Sequence, residues 1–195
     1  DAQVCRVKFA GTRASAVVFS QGGKMKTAVA RREVILSAGA LQSPQLLQLS
    51  GIGDATTLRN LGIDVLLDRP QVGQNLQDHL QIRVMHRCNE PLTTNDDLRS
   101  WSRKIGMAVQ YVAKRAGPMA VGINQAGAFV RTRADLERPD IQFHFAALSS
   151  DLPGSPLHDF SGFTSSVCQL RPTSRGHLKI TCNDPLARPE IHPGY

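Results

Sequence analysis

The side chains best able to bind a metal or move a proton are six histidines (His79, His86, His144, His158, His177, His192) and four cysteines (Cys5, Cys88, Cys168, Cys182). Their spacing argues against both roles. None of the histidines shows metal-ligand spacing, so each reads as a surface or structurally satisfied residue. The cysteines form no CxxC pair, which disfavours a zinc site and a disulfide scaffold and makes a reducing compartment the expectation. No GxSxG, Walker loop or HExxH motif occurs, which removes the simplest hydrolase, phosphate-loop and zinc-protease readings. Gly51-Ile52-Gly53 is followed by Thr56 where a dinucleotide-binding turn carries its third glycine, and it follows a helical stretch instead of a strand.

The elements that must position any site follow from periodicity. Residues 4–9 and 14–19 alternate as strands, Gln21-Gly22-Gly23-Lys24 is a hairpin turn, and residues 27–36 return as a third strand. Glu33-Val34-Ile35-Leu36 is nearly all apolar, as expected of a strand buried on both faces. The small residues Ser37, Ala38, Gly39 and Ala40 follow and permit close backbone approach. Ser43-Pro44 has the chemistry of a helix start, Leu46, Leu47 and Leu49 form its apolar side, and Ser50-Gly51-Ile52-Gly53 stops it. Asp54 is expected to cap a second short helix, closed by Gly62. A short strand at 63–67 and a loop at 70–79 complete this part.

Beyond Asp78 the pattern changes. A strand is expected at 80–88. One long helix is expected to start at Asn95-Asp96-Asp97, to run to about Arg115 and to close at Gly117-Pro118, with Leu98, Trp101, Ile105, Ala108 and Val112 on one face. Strands follow near 126–131, 141–147, 163–170 and 177–181. Runs of strands with one helix predict an α+β fold in which an antiparallel sheet carries helices on one face.

Composition bounds the rest. The chain has 195 residues, 41% hydrophobic and 20% charged, enough for one domain with a real core or for part of a larger protein. No apolar run approaches the roughly 20 residues that span a bilayer. The net charge of +7 is spread along the chain, with no group longer than pairs such as Arg31-Arg32 and Lys114-Arg115. A nucleic-acid partner is therefore not expected. The start, Asp1-Ala2-Gln3-Val4, has neither an initiator Met nor a leader, and the end at His192-Pro193-Gly194-Tyr195 is abrupt. The chain reads as a piece of a longer protein.

The stretch GALQSPQLLQLSGIG at residues 39–53 resembles the second signature of the glucose–methanol–choline (GMC) family of flavin-dependent oxidoreductases. REVILSAG at 32–39, VGQNLQDH at 72–79, PTSRG at 172–176 and the segment 184–189 match the same family in the same order. The resemblance covers essentially the whole chain and is to the choline-dehydrogenase-like branch. It implies a middle segment of an FAD-binding domain at residues 1–78 and an antiparallel-sheet substrate-binding domain at residues 79–195. It also implies FAD as cofactor in the parent protein, held weakly or not at all by residues 1–195 alone.

Site residues follow from that resemblance one by one. Val4 matches the position whose backbone pairs with the adenine edge of FAD. Ala38 and Gly39 match the small turn beside the ADP half of the cofactor. Residues 75–79 match a block packed near the cofactor at the junction of the domains. None of the six histidines matches the family's catalytic base, so no catalytic residue is carried over, and no metal is expected. Gln125 stands where choline-oxidising members carry a glutamate that neutralises the quaternary ammonium. A neutral primary alcohol is therefore the expected substrate, oxidised to the aldehyde by hydride transfer to flavin, with the electron acceptor open. Choline dehydrogenase proper and a non-catalytic module of the same fold are the alternatives. The parent is expected in the cytoplasm, with membrane association open.

Overall fold

A computed structural model describes residues 2–195 of the chain. The alternation at the start builds an antiparallel meander: β1 (Gln3–Ala10), β2 (Arg13–Gln21) and β3 (Lys24–Val29). Cys5, Val7, Ala16 and Val18 are buried on its inner side. Gly22 and Gly23 both take positive φ, 58° and 72°, which lets two residues turn the hairpin as expected. β3 ends at Val29, so the expected continuation through Leu36 does not form, and Ile35 is 77% exposed. A strand needs a neighbour for its backbone groups, and none of the described residues offers 33–36 an edge.

α1 (Gly39–Leu49) begins earlier than the Ser43-Pro44 signal suggests. Gly39 takes φ 84°, a conformation open to glycine, and starts the helix. Ser43 instead turns its hydroxyl back to accept the Ala38 amide at 3.1 Å. Pro44 lies inside the helix and forfeits one backbone bond. Burial of Leu46 and Leu49 offsets that loss. β4 (Ile52–Gly53) follows, then α2 (Ala55–Asn60), whose cap is Asp54 as the sequence predicts, accepting the Thr57 amide at 2.8 Å. β5 (Leu67–Asp68) pairs parallel to β4, and β6 (Gln74–Leu76) ends this part.

β7 (Gln81–Arg87) opens a second architecture. The expected long helix is two: α3 (Thr94–Arg99) and α4 (Trp101–Lys114). Ser100 breaks it because its backbone is extended and its hydroxyl accepts the Arg103 amide, capping α4. β8 (Asn124–Val130), β9 (Ile141–Ala146) and β10 (Gly162–Gln169) then complete an antiparallel sheet of order β7-β10-β9-β8. The α+β class holds. The apolar stripe of α4 lies open: Trp101 is 75% and Val112 74% exposed, and no residue of α4 is buried.

β11 (Gly176–Lys179) and β12 (Glu190–His192) depart from the expected division. They join β6 in a sheet of order β12-β11-β6. The chain thus forms two compact units, residues 1–78 with 173–195, and residues 79–172. The first unit breaks off after Asp78, and the tail from 173 returns to it. Leu178 and Ile180 drive that return by their burial, Ile180 packing with Leu49, Leu58 and Ile63. Gln48 on α1 locks it: its Nε2 donates to the carbonyls of Val72 and Leu178 at 3.3 Å, and its Oε1 accepts the Ile180 amide at 2.8 Å. Gly73 lets the strands close, since a Cβ there would stand 2.1 Å from the Leu178 carbonyl oxygen.

Candidate functional site

In the first unit, β1 and the turn into α1 enclose a cleft of about 160 Å³. Val4 and Ala38, far apart in sequence, line it together with Gln42, Gln45, Leu46 and Pro185. Among the described residues β1 is an edge strand paired with β2 alone, and its register shifts between Val4 and Arg6. An edge strand keeps backbone donors and acceptors available for a planar partner. Buried Gln45 braces the floor through its Nε2, which donates to the Ala187 carbonyl at 2.9 Å. Gly39 directly follows Ala38, and its need for glycine comes from φ 84°, since a Cβ there would meet open space. A larger groove of about 470 Å³ on the same unit is lined by Arg6, Lys8, Phe9 and Asp64 among others, and by none of Val4, Ala38, Gly39 and Gln125.

The block at 75–79 falls on two units. Asn75 takes φ 62°, uncommon for a residue other than glycine, and lines a cavity of about 340 Å³ with Ala40, Pro44 and Gly73. Asp78 accepts a hydrogen bond from the Tyr195 hydroxyl, which raises the tyrosine's pKa above its ordinary value. His79 begins the second unit, where its Nε2 lies 3.1 Å from the Leu170 carbonyl.

Gln125 sits in the second unit at an irregularity of the sheet. Asn124 pairs with Ala146 and Ala126 with Phe145, so Gln125 is the extra residue of a β-bulge. It is exposed on the edge strand β8. Bulges re-aim a side chain and interrupt pairing, which suits a position that presents an amide to a ligand.

Sequence reasoning missed a buried polar cluster beside this sheet end. Thr93 and Asp96 form a capping box for α3, with the Asp96 carboxylate accepting the Thr93 amide and hydroxyl at 2.9 Å. The Ser161 hydroxyl, then the Thr93 amide and hydroxyl and Arg99, hold Asp96 well below the usual carboxylate range against the opposing effect of burial. Asn95, 1% exposed, bonds to Ser149, His158 and Phe160. The spacing Thr93-x-x-Asp96 was the available signal. His158 bridges Ser149 Oγ through Nδ1 and Asp151 through Nε2, both at 3.1 Å. This is no nucleophilic triad, because Ser149 is fully buried. The four cysteines are free thiols, and among the described residues no group of three or more His, Cys, Asp or Glu side chains could hold a metal.

Residues 1–81 match the family model described as GMC oxidoreductase. Over these residues the chain matches the GMC oxidoreductases. Its relatives include the oxygen-dependent choline dehydrogenases of Burkholderia multivorans, 42% identical over 191 residues, and Burkholderia ambifaria, 41% identical. Each match covers 97% of this chain and 33% of the relative, so the chain spans about a third of their length. Among solved structures, formate oxidase superposes with a TM-score of 0.86 at 25% identity, over 97% of this chain and 38% of that one. Pyridoxine 4-oxidase from Mesorbium loti gives 0.72 at 26% identity, over 100% and 34%. No helix among the described residues is long and apolar enough to cross a membrane.

The resemblance would place the adenine end of FAD at this cleft. Val4 and Ala38 line it, Leu46 supplies an apolar wall, and the Val4 carbonyl accepts the Gln3 side-chain amide at 3.2 Å. The turn that would hold the phosphates is not among these residues.

Proposed function

We propose that this chain is the central segment of an FAD-dependent oxidoreductase acting on CH–OH groups, one that oxidises a neutral primary alcohol to the aldehyde. The observation that carries the reading is the convergence of Val4 and Ala38 on one cleft beside the glycine that opens α1. FAD, when bound, supplies the hydride acceptor. The main chain at Val4 and the Ala38-Gly39 turn hold the adenine end. Gln125 presents a neutral amide to the substrate, able to orient a hydroxyl and unable to neutralise a fixed cation. No group of this chain is assigned as the base that removes the hydroxyl proton. The four free thiols fit a reducing compartment such as the cytoplasm.

Choline remains the rival substrate because the relatives named above are choline dehydrogenases. Anaerobic titration of the full-length parent, followed by its visible spectrum, separates the readings. Bleaching of the oxidised-flavin band by neutral alcohols and not by choline supports the proposal. Bleaching by choline moves the enzyme to the rival reading. A parent that holds no flavin after added FAD leaves only a non-catalytic module.

A further inference from the structure

The second unit spends its buried polar groups on one object, the connection between β9 and β10 (residues 147–161). Asn95 is the centre. Its Nδ2 lies 3.1 Å from the Ser149 carbonyl, 3.1 Å from Ser149 Oγ, 3.1 Å from the His158 carbonyl and 3.2 Å from the Phe160 carbonyl. Its Oδ1 accepts the Ser149 amide at 3.0 Å. One amide thus ties the outgoing foot to the returning foot, beside a single backbone bridge between Ser150 and Leu157 in which the His158 amide donates to the Ser149 carbonyl at 3.1 Å. The helix start that carries Asn95 adds the Thr94 amide on the Ala147 carbonyl at 2.8 Å. At the returning foot the Gly162 amide meets Thr93 Oγ1 at 3.1 Å, and a Cβ on Gly162 would stand 2.4 Å from Ser149 Oγ. The tip between these feet is exposed.

Topology gives the clip its meaning. The connection leaves β9 at Ala146, and Ala146 pairs with Asn124, the neighbour of Gln125. The clipped feet and the bulge that presents Gln125 therefore share one end of one sheet. We propose that Asn95 is a positioning residue: by fixing residues 147–161 it sets the wall beside Gln125 and so the size of alcohol the site accepts. This rests on the alcohol-oxidising reading given above and names the part of the chain that selects among neutral alcohols.

The test uses the full-length parent carrying Asn95→Asp, which keeps the shape and removes the donors, and Ser149→Ala, which deletes one hydroxyl of the same cluster. The readout is the ratio of kcat/KM for benzyl alcohol to that for 1-butanol, which does not depend on how much enzyme is folded. Flavin absorbance per protein and limited proteolysis at the 151–156 tip accompany it. The expected result is faster cleavage at the tip and a ratio changed by about tenfold in Asn95→Asp, with a smaller change in the same direction in Ser149→Ala. If Asn95→Asp fails to fold, Ser149→Ala carries the test alone. A loosened tip with an unchanged ratio overturns the inference and leaves the reaction standing. So does a changed ratio with an unloosened tip. A wild-type parent that oxidises neither alcohol overturns the functional reading, and this inference with it.

Discussion

The two units bury different chemistry. The first buries Val7, Val18, Leu46, Leu49, Leu58, Ile63, Leu178 and Ile180, with Gln45 and Gln48 as its buried polar side chains. The second buries Ala146 and Cys168 as its apolar residues, against Thr93, Asn95, Asp96, Ser149, Ser150, Ser161 and Thr164. One unit is thus held by apolar area around α1, and the other by a sheet ladder and a hydrogen-bonded polar clip. Non-directional burial fixes a volume; a polar network fixes particular partners, because each donor left alone is penalised. The first arrangement suits a scaffold under the proposed cofactor cleft. The second suits a connection whose exact path matters.

That contrast can be broken most directly in the first unit. Leu58, 1% exposed, is expected to cost about 2–5 kcal/mol on truncation to Ala, read from urea unfolding of the parent with a probe in this unit. A loss below about 1 kcal/mol would remove the apolar core as the source of its stability. Gln48→Ala strands the Ile180 amide and is expected to cost about 1–3 kcal/mol; a neutral result would show that the tail from 173 docks without this lock. In the second unit, Thr93→Ala removes the cap of α3 and is expected to cost about 1–2 kcal/mol, again by urea unfolding.

Acid titration sharpens the comparison further. Asp96 has its pKa lowered in the folded chain from an ordinary value of 3.8. The unfolded chain therefore binds the proton more readily, and stability rises with pH. The contribution is fully present above about pH 4 and is lost as pH falls through the folded value. Asp96→Asn should flatten the fall in stability below pH 4, and an unchanged acid profile would deny the carboxylate its role in the clip. The smallest effect is expected on α4. Trp101→Ala should change stability by no more than about 0.5 kcal/mol, because the ring is exposed; a larger loss would mean that the stripe already packs.

How much of this was legible depends on whether a feature is local. The hairpin at Gly22-Gly23 and the Asp54 cap were both readable, since each rests on backbone preference within a few residues. The break at Ser100 was not, because a hydroxyl that caps one helix and a hydroxyl inside a longer one look alike in a sequence. Of the candidate site, Val4, Ala38 and Gly39 were singled out through a resemblance. The Asn95 cluster was passed over because its partners lie more than 50 residues away in the chain.

The sequence by itself determined the family motifs, the alternation of the strands, the capping chemistry and the neutral amide at Gln125. Only the tertiary structure decided that Val4 and Ala38 share a cleft, that residues 173–195 return to the first unit, and that Asn95 closes the β9–β10 connection. The physical reason is one of range. Periodicity and capping are set by neighbours a few residues apart, whereas which buried donor meets which carbonyl is settled only when distant segments pack and water is excluded.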